Sequence, residues 1–155
     1  MTSYDWALLL HLVGVIAFFS GTAVASAAQL GAWRRERSGE IAAVLALARV
    51  GVLIVAAGLV LAVGSGLWLV EETRRSLTDG WIAGSLLLLL VSLALGAVGG
   101  RKARQARVLA ASRPPDAPFD PVVSELLRDR AALAANLLAA AAAAAVLVLM
   151  VWRPE

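Results

Sequence analysis

Residues 50–70 read Val50-Gly51-Val52-Leu53-Ile54-Val55-Ala56-Ala57-Gly58-Leu59-Val60-Leu61-Ala62-Val63-Gly64-Ser65-Gly66-Leu67-Trp68-Leu69-Val70, without a single charged side chain. As a helix rising 1.5 Å per residue, this run covers about 30 Å, the thickness of a bilayer's hydrocarbon core. No water in that core hydrogen-bonds the backbone, so the segment must satisfy its own amides as a helix. Working outward, residues 6–33, 81–100 and 131–152 meet the same requirement. The connecting stretches 34–40, 71–80 and 101–130 are charged and contain Gly or Pro.

Composition agrees. Of 155 residues, 61% are hydrophobic and 16% charged, and the mean hydropathy is +0.82, values outside the soluble range. The net charge is +3, but the basic residues sit in short tracts without interleaved aromatics. Anionic lipid headgroups are therefore the expected counter-charge, and nucleic acid is not. With no cysteine, disulfides, thiolate nucleophiles and cysteine metal sites are excluded. The N-terminal Met1-Thr2-Ser3-Tyr4-Asp5-Trp6 lacks the basic region of a secretory signal, so the first apolar run reads as a spanning helix.

Orientation follows from the basic residues, which are retained on the cytoplasmic side. The first loop carries Arg34, Arg35 and Arg37, and the third carries Arg101, Lys102, Arg104, Arg107, Arg113, Arg128 and Arg130. The opposite side carries only Arg74, Arg75 and Arg153. Both termini and the second loop are therefore expected outside. Tyr4, Trp6, Trp68, Trp81 and Trp152 would form an outer aromatic belt, with Trp33 at the inner interface. The Ala, Arg and Leu bias reads as GC-rich bacterial coding without functional weight, and the expected location is the bacterial inner, cytoplasmic membrane.

The third loop has structure of its own. Residues 101–112 lack Gly and Pro and extend helix three, until Arg113-Pro114-Pro115-Asp116-Ala117-Pro118 breaks it. Asp120-Pro121 then reads as an N-cap with proline at the first helical position. The expected fold is all-α: one polytopic four-transmembrane-helix bundle over residues 1–155, with helices at about 6–33, 40–70, 81–112 and 120–152. Helices three and four extend into the cytoplasm as a hairpin. Helices one and three both end in small residues followed by a basic tract, a pattern open to hairpin duplication or to the positive-inside rule acting twice.

Helices in hydrocarbon associate through small residues. His11, Gly14, Phe18, Gly21, Ala25 and Ala28 share one stripe, Gly51, Gly58, Ala62 and Ser65 a second, and Ser85, Ser92, Gly96 and Gly99 a third. Helix four is too uniformly alanine to reveal a face, although Asn136, Ala140, Ala143 and Met150 are compatible with one. Two readings of His11, the only histidine, stay open. In the first, Ser65, Ser85 and Met150 lie at similar depth and form a ligand pocket, with His11 and Met150 binding haem or copper. In the second, His11 is packed and hydrogen-bonded to a serine or a backbone carbonyl. Arg49 is read as snorkelling to headgroups or pairing with Gln29 or Asn136. The apolar runs hold no Asp or Glu beyond their ends, so neither a carboxylate proton relay nor a hydrolytic triad can be assembled.

The segments Leu10-His11-Leu12-Val13-Gly14-Val15-Ile16-Ala17-Phe18-Phe19-Ser20-Gly21 and Gly64-Ser65-Gly66-Leu67-Trp68-Leu69-Val70 carry a resemblance. They resemble the first two helices of an uncharacterised four-helix family of predicted integral membrane proteins and of the copper-resistance D (CopD) family. HemJ-type protoporphyrinogen oxidases are more distantly similar. The resemblance implies a four-helix bundle with a haem or copper connection through His11. The chain departs from these families in lacking further histidines, an intramembrane proline-arginine feature and the several His and Met of a copper pathway.

The expected function is a non-enzymatic helical interaction or accessory module, with a homo-oligomer or another membrane protein as partner. Its alternatives are a haem- or copper-binding redox protein using His11, and an oligomeric channel or small-solute transporter lined by Ser20, Thr22, Ser26, Ser65, Ser85 and Ser92.

Overall fold

The computed structural model describes residues 2–118 and 120–152. They form α1 (Ser3–Ala32), α2 (Ser38–Glu72), α3 (Gly80–Ala111), α4 (Pro121–Leu127) and α5 (Arg130–Trp152). Four helical stretches are long and apolar enough to cross a membrane, the fourth being α4 and α5 together. Among the described residues there is no β-strand, only a single bridge between Arg37 and Pro118. Arg153 of the outer belt side lies outside the described residues.

The chain folds as two antiparallel pairs. α1 packs along α2 and α3 along α5, while α2 meets α3 more lightly and α4 lies on α3. In each long helix a small residue is buried at every seventh position: Ala7, Gly14, Gly21 and Ala28 in α1, Gly51, Gly58 and Ser65 in α2, and Ser85, Ser92, Gly99 and Ala106 in α3. In α5 the series is Ala132 and Ala139, with the larger Val146 at the next place. A seven-residue repeat keeps one seam facing its partner, as in a left-handed coiled coil. The buried face of α5 also includes Ala135 and Ala143 but not Ala140, which is exposed, correcting that part of the expected stripe.

Contact within the first pair is backbone to backbone. A Cβ on Gly21 would lie 2.6 Å from the Gly51 carbonyl oxygen, and one on Gly58 2.5 Å from the Phe18 amide nitrogen. In the second pair the Ser92 hydroxyl donates to the Ala139 carbonyl at 2.8 Å, and Gly99 leaves room for the Asn136 amide. Large aliphatics face outward, with Ile16, Val60, Leu87 and Leu137 each more than 60% exposed. This is the arrangement a lipid solvent requires.

Below this membrane region lies a core of different make-up. At 35 residues, α2 is about 52 Å long by its helical rise, well beyond a hydrocarbon core of about 30 Å. The excess is at the basic end, where Ala32, Ile41, Leu45, Ala106, Ala110, Val123 and Leu127 form a hydrophobic cluster. The largest fully buried side chains in the described chain are all here. The loop after α3 straps this end, with the Ser38 and Gly39 amides of α2 donating to the Ala117 and Pro115 carbonyls at 3.1 Å each. Arg113 pairs with Asp120, whose other oxygen accepts the Val122 amide as an N-cap at 2.8 Å.

The expected continuous helix over 120–152 is instead broken at Arg128-Asp129. Asp129 caps a new helix by accepting the Ala132 amide at 2.9 Å and pairs with Lys102 at 3.5 Å. The Leu127 carbonyl, which a continuous helix would bond to residue 131, accepts the Trp33 indole N–H at 3.1 Å. Trp33 therefore packs against the basic-end cluster.

Above the cluster the two pairs are joined by a polar contact, Asn136 Nδ2 donating to Gln29 Oε1 at 3.2 Å. Arg49 is exposed and takes no part in it, which fits snorkelling. The small-residue stripes are thus consumed inside one bundle.

Replacing Gly58 by Ala is expected to destabilise the bundle by about 1–3 kcal/mol through overpacking, measured as detergent-solubilised thermal unfolding. Gly64, where an added Cβ meets nothing within 4 Å, should accept Ala with unchanged or slightly raised stability.

Candidate functional site

At the end opposite the basic cluster the two helical pairs part around a cavity of about 370 Å³. Tyr4, Thr73, Arg75, Leu77 and Trp81 stand at its mouth, and Phe18, Phe19, Leu59 and Leu89 line its deeper part. Counted from Trp6 to Phe19 and from Trp81 to Leu89, the cavity reaches about 12–20 Å inward by helical rise, roughly the middle of a bilayer. Phe18 and Phe19 pack edge to face with centroids 5.5 Å apart. The rest of the wall is almost entirely aliphatic.

The mouth is held by polar contacts. Glu72 accepts the Ser3 hydroxyl at 2.6 Å and the Trp68 indole N–H at 3.3 Å, fixing the start of α1 against the end of α2. Arg75 lies 5.8 Å from the centre of the Trp81 ring, within cation–π range, and 4.0 Å from Asp79. Thr2 and Asp5 form a reciprocal capping box at the start of α1.

His11 lines the cavity, and its Nδ1 lies 2.8 Å from the Ala62 carbonyl oxygen. A carbonyl only accepts, so Nδ1 carries the proton. The contact is the backbone-carbonyl partner of the packed reading. A Cβ on Gly66 would come within 3.2 Å of Nδ1, so that glycine makes room for the ring. Ser85 and Met150 also line the cavity. Ser85 is 3% exposed, and its hydroxyl has no hydrogen-bond partner.

Ser65 takes a different place, buried beside α1 with its hydroxyl donating to the Leu61 carbonyl of its own helix at 2.5 Å, and it is not among the cavity-lining residues. Thr22 likewise bonds its own helix at Phe18, at 2.8 Å, and Ser20 and Ser26 are exposed. The hydroxyls expected along a pore thus point to several faces of the monomer. Among the described residues no group of three or more His, Cys, Asp or Glu side chains is placed to hold a metal ion. Sequence reasoning missed Tyr4, Phe19 and Arg75, because joint lining depends on how the two pairs splay.

The fold and cavity define a polytopic helical membrane protein built from two hairpins around an interhelical pocket. The chain belongs to the family described as predicted integral membrane protein (DUF2269), whose model matches residues 6–154 and so covers all four spanning stretches. No curated protein and no solved structure matches it.

His11→Gln is expected to preserve the fold at a cost of about 1 kcal/mol, since an amide N–H replaces one imidazole hydrogen bond to the Ala62 carbonyl. Circular dichroism melting measures the loss. Haem or copper present in near-stoichiometric amount in the wild type and absent from the variant would instead make His11 a ligand.

Proposed function

We propose that the protein is a non-enzymatic binding module of the bacterial inner membrane, in which two hairpins hold a small hydrophobic ligand between them. Both termini and the cavity mouth lie on the outer side, and the basic end lies in the cytoplasm against anionic headgroups. The cavity carries the reading. Its volume of about 370 Å³ falls in the range of small-molecule pockets, which are typically apolar with a few fixed polar groups. Among the described residues its lining is mostly aliphatic and aromatic, which suits retention of an apolar ligand. The ten-to-three distribution of basic residues between the two loop sides supports the orientation.

Two measurements test this reading. In nanodiscs, 2-methylnaphthalene should bind at about one molecule per chain above an empty-disc reference. Leu147→Trp, at a cavity-lining position that is 37% exposed, should block binding while leaving the melting temperature nearly unchanged. Absence of saturable binding by the wild type would overturn the reading.

For the orientation, the chain is already free of cysteine. Ser76→Cys should react with an impermeant thiol reagent applied to intact cells, and Ser112→Cys should react only after lysis. The reverse pattern would invert the topology.

A further inference from the structure

We infer that the cavity selects an apolar ligand bearing a neutral hydroxyl, of phenol or lipid-alcohol type, received between His11 and Ser85. The inference rests on the cavity being a binding site and adds which chemistry it prefers. Three serines are buried in the hydrophobic stretches of α2 and α3: Ser65, Ser85 and Ser92. Ser65 returns its proton to its own helix, and Ser92 gives its proton to Ala139 across the α3–α5 seam. Ser85 does neither, although it is 3% exposed.

The seam explains the difference. Ser92 meets Ala139, and Gly99 meets Ala132. One heptad toward the mouth, the same register sets Ser85 opposite Val146, a branched side chain where Ala139 has only a methyl. Ser85 lines the cavity with its hydroxyl enclosed beneath the wall and without a partner, and a buried hydroxyl without a partner is costly in an apolar setting.

His11 supplies the complement. With Nδ1–H committed to the Ala62 carbonyl, the neutral ring keeps its lone pair on Nε2 as an acceptor. His11 is about 7 Å inside Trp6 and Ser85 about 6 Å inside Trp81 by helical rise, so both stand at one depth. A ligand hydroxyl satisfies the two together, donating to His11 Nε2 and accepting from the Ser85 hydroxyl. A carboxylate has no proton for Nε2, and its charge would be drawn to Arg75 at the mouth, leaving only a hydrocarbon tail beside Ser85.

The test compares 2-naphthol, 2-methoxynaphthalene and 2-methylnaphthalene by titration into nanodiscs holding the full chain, with empty discs subtracted. The naphthol should bind about fivefold to tenfold tighter than its methyl ether, the value of the one hydrogen bond to His11 that the ether cannot donate. Ser85→Ala should weaken binding of the naphthol and the ether alike, since both keep an oxygen that accepts from Ser85, while 2-methylnaphthalene binds unchanged. Equal binding of naphthol and ether by the wild type would overturn the inference without any variant, and so would a naphthol affinity that Ser85→Ala leaves unchanged. That result would leave the cavity as an unselective apolar site or one whose hydroxyl is served by water. Failure of all three probes to bind would overturn the binding reading itself.

Discussion

Between two helices surrounded by lipid tails, burying a leucine brings no advantage, because lipid is as apolar as the leucine itself. What remains is dispersion and polar contact at short range, and both require backbones to come close. The bundle meets this constraint with a small residue at every seventh position of each long helix. Gly21 against Gly51 and Gly58 against Phe18 bring main chain onto main chain, and Ser92 adds a hydrogen bond across the other seam. Toward the mouth, Ser85 of α3 and Val146 of α5 both line the cavity between the two pairs.

The basic end obeys another rule. There Ile41, Leu45, Val123 and Leu127 are withdrawn from water, and the hydrophobic effect operates as in a soluble domain. Leu127 also lends its carbonyl to Trp33, tying α4 to the end of α1. Each pair is held along its length by close packing. The two pairs are held to one another by this cluster and by the Asn136–Gln29 bond above it. The cavity occupies the end where neither device acts.

Much of the fold was legible because hydrocarbon thickness and charge exclusion act on contiguous sequence. The span limits, the break at Pro114-Pro115 and the cap at Asp120-Pro121 all depend on neighbours along the chain. The stripes of α1, α2 and α3 were readable because Gly and Ser stand out against Leu and Val. In α5 the run Ala139-Ala140-Ala141-Ala142-Ala143-Ala144-Ala145 hid the face, since every position offers the same methyl. The break at Asp129 escaped because part of its cause, the Trp33 indole, lies far away in sequence. His11, Ser85 and Met150 were grouped from depth alone, and the structure sets all three around one cavity. Ser65 shares their depth but turns to another helix face, and depth counting does not resolve rotation about the helix axis.

The buried cluster at the basic end also bears on the order in which the molecule is made. Chains emerge from their N-terminus, and local units form as they appear. α1 and α2 can enter the bilayer and seal against one another early, since every contact of their seam lies within the first 72 residues. Val123 and Leu127 arrive only after α3 is complete, and the cluster that unites the two hairpins has no counterpart until then. The short helix Pro121–Leu127 thus emerges before α5, and the α3–α5 seam is the last to close, after the join at the basic end has its parts.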